Sequence, residues 1–352
     1  MARRIIMRHY YLPVAATLMA SLVAVSAVAG PTSIRVLGQP VGSGAIQNDL
    51  EQPFFESFSD RTGLSTQISY SPVDTAGVSD SEGLRVLRNN LFGIVSLRLS
   101  QISGDEPTLL GFDLVGQNPT YEIARENVDA YMPVADERLQ ERFNSKLLGV
   151  WPAGPQVLFC EPEISSLDDL QGKRVRVYDN ILGNFISNLG ASAVPLSFPE
   201  TQQGIARGVV DCGVTGPSSA NAAGWPEVTS YVYPLAVQMA MNGYAINLDT
   251  WNQFSEEEQV QLKSAIEELV DEIWAYSEEL YEDASRCNTG GEPCENGRSY
   301  SLTSIEVTEQ DLQRVSEAVE AMSLPNFTEL CDNTNPSCSE DWKATVGRNL
   351  GL

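Results

Sequence analysis

The stretch Leu170–Asn180, LQGKRVRVYDN, decides the fold. Gly172 ends a short helical segment, SLDDL, and the chain then alternates. Val175 and Val177 point one way, and Arg174, Arg176 and Tyr178 the other, which is the period of a β-strand. Behind it come NFISNLG as a helix, AVPLSF as a strand, PETQQGIARG as a helix and VVDCGVTG as a strand. Strands alternating with helices imply a layered α/β fold with a largely parallel sheet. Open α/β sheets bind ligands beyond the carboxyl ends of their strands. Arg176 is nearer that end than Arg174, and its planar fork pairs a carboxylate in a way that lysine cannot reproduce. The competing reading is a surface arginine paired with Asp168 or Asp169.

The same alternation runs through the N-terminal part. SIRVLG (33–38) is a strand leading into a Gly/Pro turn, EQPFFESFSDRTG (51–63) a helix with Gly63 as its C-cap, and LSTQISY a strand. Ser81 can cap the helix EGLRVLRNN, and FGIVSL (92–97) is a third strand. The turn GQPVGSG lacks the GK[ST] ending of a phosphate loop and does not match GxGxxG, so it is a plain strand-to-helix turn. Gln39 within it is a candidate ligand contact. A second lobe begins near WPAGPQVLFC (151–160), where Trp, Pro and Gly break a helical stretch, and YAINLDTW (244–251) is a strand returning to the first lobe. The expected division is 30–153 with about 241–262 as one lobe and 154–240 as the other.

A long helix follows at 255–286. Ser255 with Glu258 forms a capping box, and Val260, Leu262, Ile266, Leu269, Ile273, Trp274, Leu280 and Tyr281 recur at helical spacing. At 1.5 Å per residue it reaches roughly 45 Å, enough to brace both lobes. Its heptads are too irregular for a coiled coil, although an exposed helix of this length can pair with its copy in a homodimer. The remainder, 287–352, is expected to pack on the lobes under disulfide staples.

Composition narrows the function. The chain has 352 residues, which favours two lobes over one core, and a formal net charge of −25, which disfavours nucleic acid as a partner. Residues 1–29 read as a signal peptide: Arg3, Arg4 and Arg8, an apolar run from Leu12, and small residues Ala27–Ala29 for cleavage. An uncleaved anchor is the rival reading. The sole histidine, His9, lies in that segment. A mature chain without histidine cannot run a Ser-His-Asp or Cys-His mechanism or hold a His-ligated zinc. No cofactor is called for. Six cysteines in an exported chain read as disulfides. Cys287 with Cys294 and Cys331 with Cys338 would each staple a local loop, leaving Cys160 with Cys212 as the long-range pair. The rivals are a four-cysteine zinc site from the two late pairs and two buried free thiols at 160 and 212.

The run SLDDLQGKRVRV, followed by LGASAVPLSFPETQQGIARGVVDC, resembles the solute-binding proteins of tripartite ATP-independent periplasmic (TRAP) transporters, densest over 147–262. The resemblance implies a two-lobed periplasmic binding protein with crossing strands, and puts Arg176 where an arginine clamps the substrate carboxylate. It sets Gln156 where many members have a second basic residue, Phe198 where an aromatic packs on the substrate, Thr215 where Asn or Trp is common and Asn242 at the lobe crossing. Asp179 falls where a neutral residue is usual, to steer the arginine or repel a second carboxylate. A disulfide between Cys160 and Cys212 would tie the strands carrying Gln156 and Thr215. The implied function is capture of a small organic acid for integral-membrane permease subunits. A sensor docking on a receptor kinase and a carboxylate-based glycosidase are the alternatives.

Overall fold

The computed structural model describes residues 30–352, so the signal-peptide reading of 1–29 lies outside the described residues. The strands are β1 (Ser33–Gly38), β2 (Gln67–Pro72), β3 (Ile94–Arg98), β4 (Ser145–Cys160) and β5 (Arg174–Val177), then β6 (Ser192–Pro195), β7 (Cys212–Thr215), β8 (Tyr231–Asn247) and β9 (Thr303–Ser304). They pair in the order β2-β1-β3-β8-β4-β7-β5-β6, with β9 alongside β8. The outer trios are parallel, β2-β1-β3 at one end and β7-β5-β6 at the other. Between them β8 and β4 run antiparallel to each other and to their outer neighbours. The sheet is therefore two parallel halves joined by two long crossing strands, an α/β fold of two lobes.

Both crossing strands differ from the sequence reading. β4 runs unbroken through Trp151, Pro152 and Gly154, where a break was expected, and β8 starts at Tyr231 and is 17 residues long. The prolines survive because the ladder slips there: the register shifts between Pro152 and Gly154 and again between Gln156 and Leu158. Such bulges leave one residue unpaired and bend the strand. Gly154 takes φ +94°, a left-handed conformation that a side chain would strain.

Smaller shifts follow the same logic. Ser79, not Ser81, makes the capping box with Glu82, and the segment expected as one helix over 51–63 is split at Ser57, with Gly63 as its left-handed C-cap. The helix Tyr121–Phe143 keeps Pro133 inside it. The long helix spans Glu256–Thr289, one turn beyond the expected end, with the Ser255–Glu258 box at its start. Its face toward the sheet buries Leu262, Ile266, Leu269 and Ile273, while Val260 stays exposed. Trp274 Nε1 donates to Val150 O and Ser277 Oγ to Pro152 O, fastening the helix to β4 at the crossing. All six cysteines are paired, Cys160–Cys212, Cys287–Cys294 and Cys331–Cys338, so none is left for zinc. Three of the last four sit in helices, Cys287 in the long helix and Cys331 and Cys338 in helices Leu324–Asp332 and Cys338–Trp342, while Cys294 lies in the loop that follows the long helix.

Candidate functional site

A cavity of about 70 Å³ lies where the two halves meet. One water needs roughly 10–15 Å³ on this measure, so the space holds several waters or a small solute. Gln39, Gln156, Arg176, Phe198, Thr215 and Asn242 all line it, from β1's turn, β4, β5, the helix Phe198–Ala206, β7 and β8. Asp179 does not. It caps the helix Asn180–Asn188 by accepting from Leu182 N at 2.7 Å.

Arg176 is 2% exposed. Main chain on either side holds it: Nε donates to Leu196 O, just past β6, at 3.1 Å and Nη1 to Val214 O of β7 at 2.9 Å. A guanidinium has five N–H donors, so these two bonds leave three at its terminal nitrogens. Tyr178 and Trp225 place their rings 5.3 and 5.7 Å from its central carbon, where an aromatic face attracts a cation. Trp225 gets that close because β7 has Gly213 beneath it; a Cβ there would sit 2.7 Å from the indole. Burial above all, with nearby Arg98, lowers its pKa to about 10, yet it stays cationic near neutrality. Neither Asp168 nor Asp169 pairs with it: Asp168 binds Arg314 and Asp169 caps Ser165. Arg174, two residues earlier, is half-exposed and paired with Asp211 at 2.6 Å.

A second cation went unread in the sequence. Arg98, at the carboxyl end of β3, also lines the cavity. Its Nε donates to Gln39 Oε1 at 3.0 Å and its Nη2 to Ser43 Oγ at 2.6 Å, with Asp80 at 3.7 Å and the Phe198 ring 5.6 Å away. Gln39 in turn donates to Ser96 Oγ at 2.9 Å. Below them, buried Glu51 accepts from Ser96 Oγ, Tyr70, Tyr244 and Gln39 N. The strand-end rule applied to Arg176 selects Arg98 equally well, had the strand been read one residue further.

In a chain of net charge −25, this cavity is lined, among the described residues, by two arginines and by no aspartate, glutamate, histidine or cysteine. That lining suits an anion and offers no ligand set for a metal ion. It also holds no opposed pair of acids of the kind glycoside hydrolysis uses. Gln156 spends its amide on Gly154 O at 2.7 Å, within the bulge of β4. Phe198 stacks on Trp225 at 5.7 Å between ring centres. Asn242 pairs with Arg98 across the β3–β8 ladder and with Trp151 across β8–β4, so it sits on the crossing itself.

Residues 44–323 match the profile of bacterial extracellular solute-binding protein family 7, DctP. The chain belongs to this family. A curated solute-binding protein of Chromohalobacter salexigens is 26% identical over 156 residues, 42% of this chain, and the match spans about half (46%) of that relative's length. Among solved structures, a TRAP periplasmic solute-binding protein of Desulfovibrio salexigens with bound orotic acid superposes with a TM-score of 0.78 at 15% identity, over 90% of this chain and 99% of that one. A Bordetella pertussis extracytoplasmic solute receptor binding pyroglutamic acid gives 0.75 at 15%, over 90% and 99%. A TRAP protein of Rhodoferax ferrireducens with malonate gives 0.78 at 12%, over 90% and 98%. These likenesses show the two-lobed binding-protein fold of the TRAP solute receptors. Within this DctP-family chain the second basic group is on β3, while Gln156 stays neutral on β4.

Proposed function

We propose that this chain is the extracytoplasmic solute-binding subunit of a TRAP-type secondary transporter, working in the periplasm. It captures a small organic acid between its lobes and delivers it to integral-membrane permease subunits. One observation carries the reading: among the described residues, Arg98 and Arg174 have carboxylate partners and Arg176 has none. A buried cation without a counter-ion is costly. A ligand carboxylate offers it one, and each charged hydrogen bond contributes about 1.5–3 kcal/mol. The proposed roles are Arg176 as carboxylate clamp, Arg98 as a second donor from the facing lobe, Gln39 as the support of Arg98, Phe198 as packing surface, and Gln156, Thr215 and Asn242 as polar contacts.

A thermal-shift screen over small organic acids tests this, because a ligand bound only by the native state raises its stability, by about 2.7 kcal/mol at a hundred times Kd. No shift with any acid would refute the reading. For an acid that binds, Arg176→Lys should weaken affinity at least tenfold by calorimetry, since the planar fork is lost. Unchanged affinity removes Arg176 from the site.

A further inference from the structure

Ser100, Tyr178 and Met241 line the cavity and also touch a buried group of carboxyls that the binding reading leaves unused. Asp113 follows the helix Pro107–Phe112 in the first lobe, Asp179 caps a helix of the second, and Gln238 lies on β8 where the chain crosses between them. The Gln238 amide nitrogen donates to Asp113 O and to Asp179 Oδ2, the latter at 3.2 Å, and its Oε1 accepts from the Tyr178 hydroxyl at 3.1 Å. Asp113 Oδ2 accepts from Met241 N at 3.2 Å, and its Oδ1 is buried without a partner. Both carboxyls are buried, Asp113 fully. Among the described residues neither forms an ion pair.

We propose that the buried carboxyls of Asp113 and Asp179, on either side of Gln238, form a proton-binding switch, so that capture of an anion at Arg176 is coupled to uptake of a proton by this acid pair. The proposal rests on the binding role given to Arg176. Two buried carboxyls in one cluster disfavour double ionisation. Burial, and then the charge of Asp179, pushes Asp113 well above the usual carboxylate range. Burial pushes Asp179 up to about 6, against the pull of the Leu182 and Ile181 N–H groups, Gln238 and the Arg176 charge. The groups facing the pair are Arg176 and Tyr178 from β5 and the turn after it, Gln238 and Met241 N from β8, and Ser100 from the turn after β3. Burial thus favours the protonated form of Asp113, while Asp179, with its midpoint at about 6, is largely ionised near neutrality.

A ligand carboxylate on Arg176 cancels the positive charge that helps keep Asp179 ionised. The Asp179 midpoint therefore rises, and a proton is taken up in the window from about pH 6 toward 7. Linkage is reciprocal, so protonating the pair tightens binding by the same factor. Affinity for an acid that is itself ionised throughout should be about three- to tenfold tighter at pH 5.5 than at pH 7.5, one proton allowing at most tenfold per pH unit.

Two measurements test this. Carbon-13 NMR of the aspartate carboxyls in the ligand-free protein should show Asp113 titrating above the usual carboxylate range and a midpoint near 6 for Asp179. Calorimetry with pyroglutamate and D-galacturonate, in buffers of different ionisation heat at pH 6, should show net proton uptake. In Asp179→Asn, whose amide oxygen still caps the helix, uptake and pH dependence should disappear while the acid still binds. Both carboxyls titrating near 4 would overturn the switch whether or not either acid binds. So would binding without proton uptake, or uptake that persists in D179N. Failure of every acid in the wider screen, with the NMR midpoints as expected, would instead strike the function proposed for Arg176 and the coupling that rests on it.

Discussion

The two walls of the cavity each present one arginine, and they hold it differently. On the second-lobe wall, main-chain carbonyls of β7 and of the residue just past β6 grip Arg176, and Cys160–Cys212 ties β7 to β4. On the first-lobe wall, side chains hold Arg98: Gln39, Ser43 and Asp80. Main-chain carbonyls move only if the strands move. Side chains can change rotamer at small cost. The contrast assigns a fixed socket to one lobe and an adjustable grip to the other, and three variants probe it.

The largest effect should come from Cys160→Ser with Cys212→Ser. The bond closes a loop of 52 residues, worth about 4 kcal/mol by the loop-entropy relation. Urea unfolding should show a loss of that order, and one below about 1 kcal/mol would show that the socket is not stitched by this bond. Next, Arg98→Gln should weaken acid binding about tenfold by calorimetry, the loss of roughly one charged hydrogen bond. If it weakens binding as much as a change at Arg176, the two walls are equivalent and the contrast fails. Smallest, Gln39→Ala should cost about threefold by releasing the Arg98 Nε. That cost should vanish in the Arg98→Gln background, because a double-mutant cycle reports only what the two residues share. An equal cost in both backgrounds would make Gln39 an independent ligand contact.

Much of this was legible in the sequence for specific reasons. Arg176 stood out because its strand alternates cleanly and its neighbours are valines, and the capping box at Ser255 marked the long helix. The crossing strands did not stand out. β8 is largely buried on both faces, so no alternation shows, and Pro234 within it reads as a breaker. β4 hides its continuity behind Pro152, Gly154 and Pro155, which the bulges absorb. Arg98 was missed by one residue of strand length. The family resemblance alone assigns Asp179 to the ligand site, whereas helix capping and Gln238 turn it toward the lobe junction. Partners distant in sequence, such as Asp113 and Asp179, carry no local signature at all.

The helix Glu256–Thr289 lies against both halves. It makes Arg61–Glu272 and Tyr276–Asp49 contacts on one side and Asn288–Pro217 on the other, and Ser277, Leu280 and Tyr281 line the cavity. Such a splint covers one flank of the gorge. In the proposed function, a captured acid would come and go by the opposite rim.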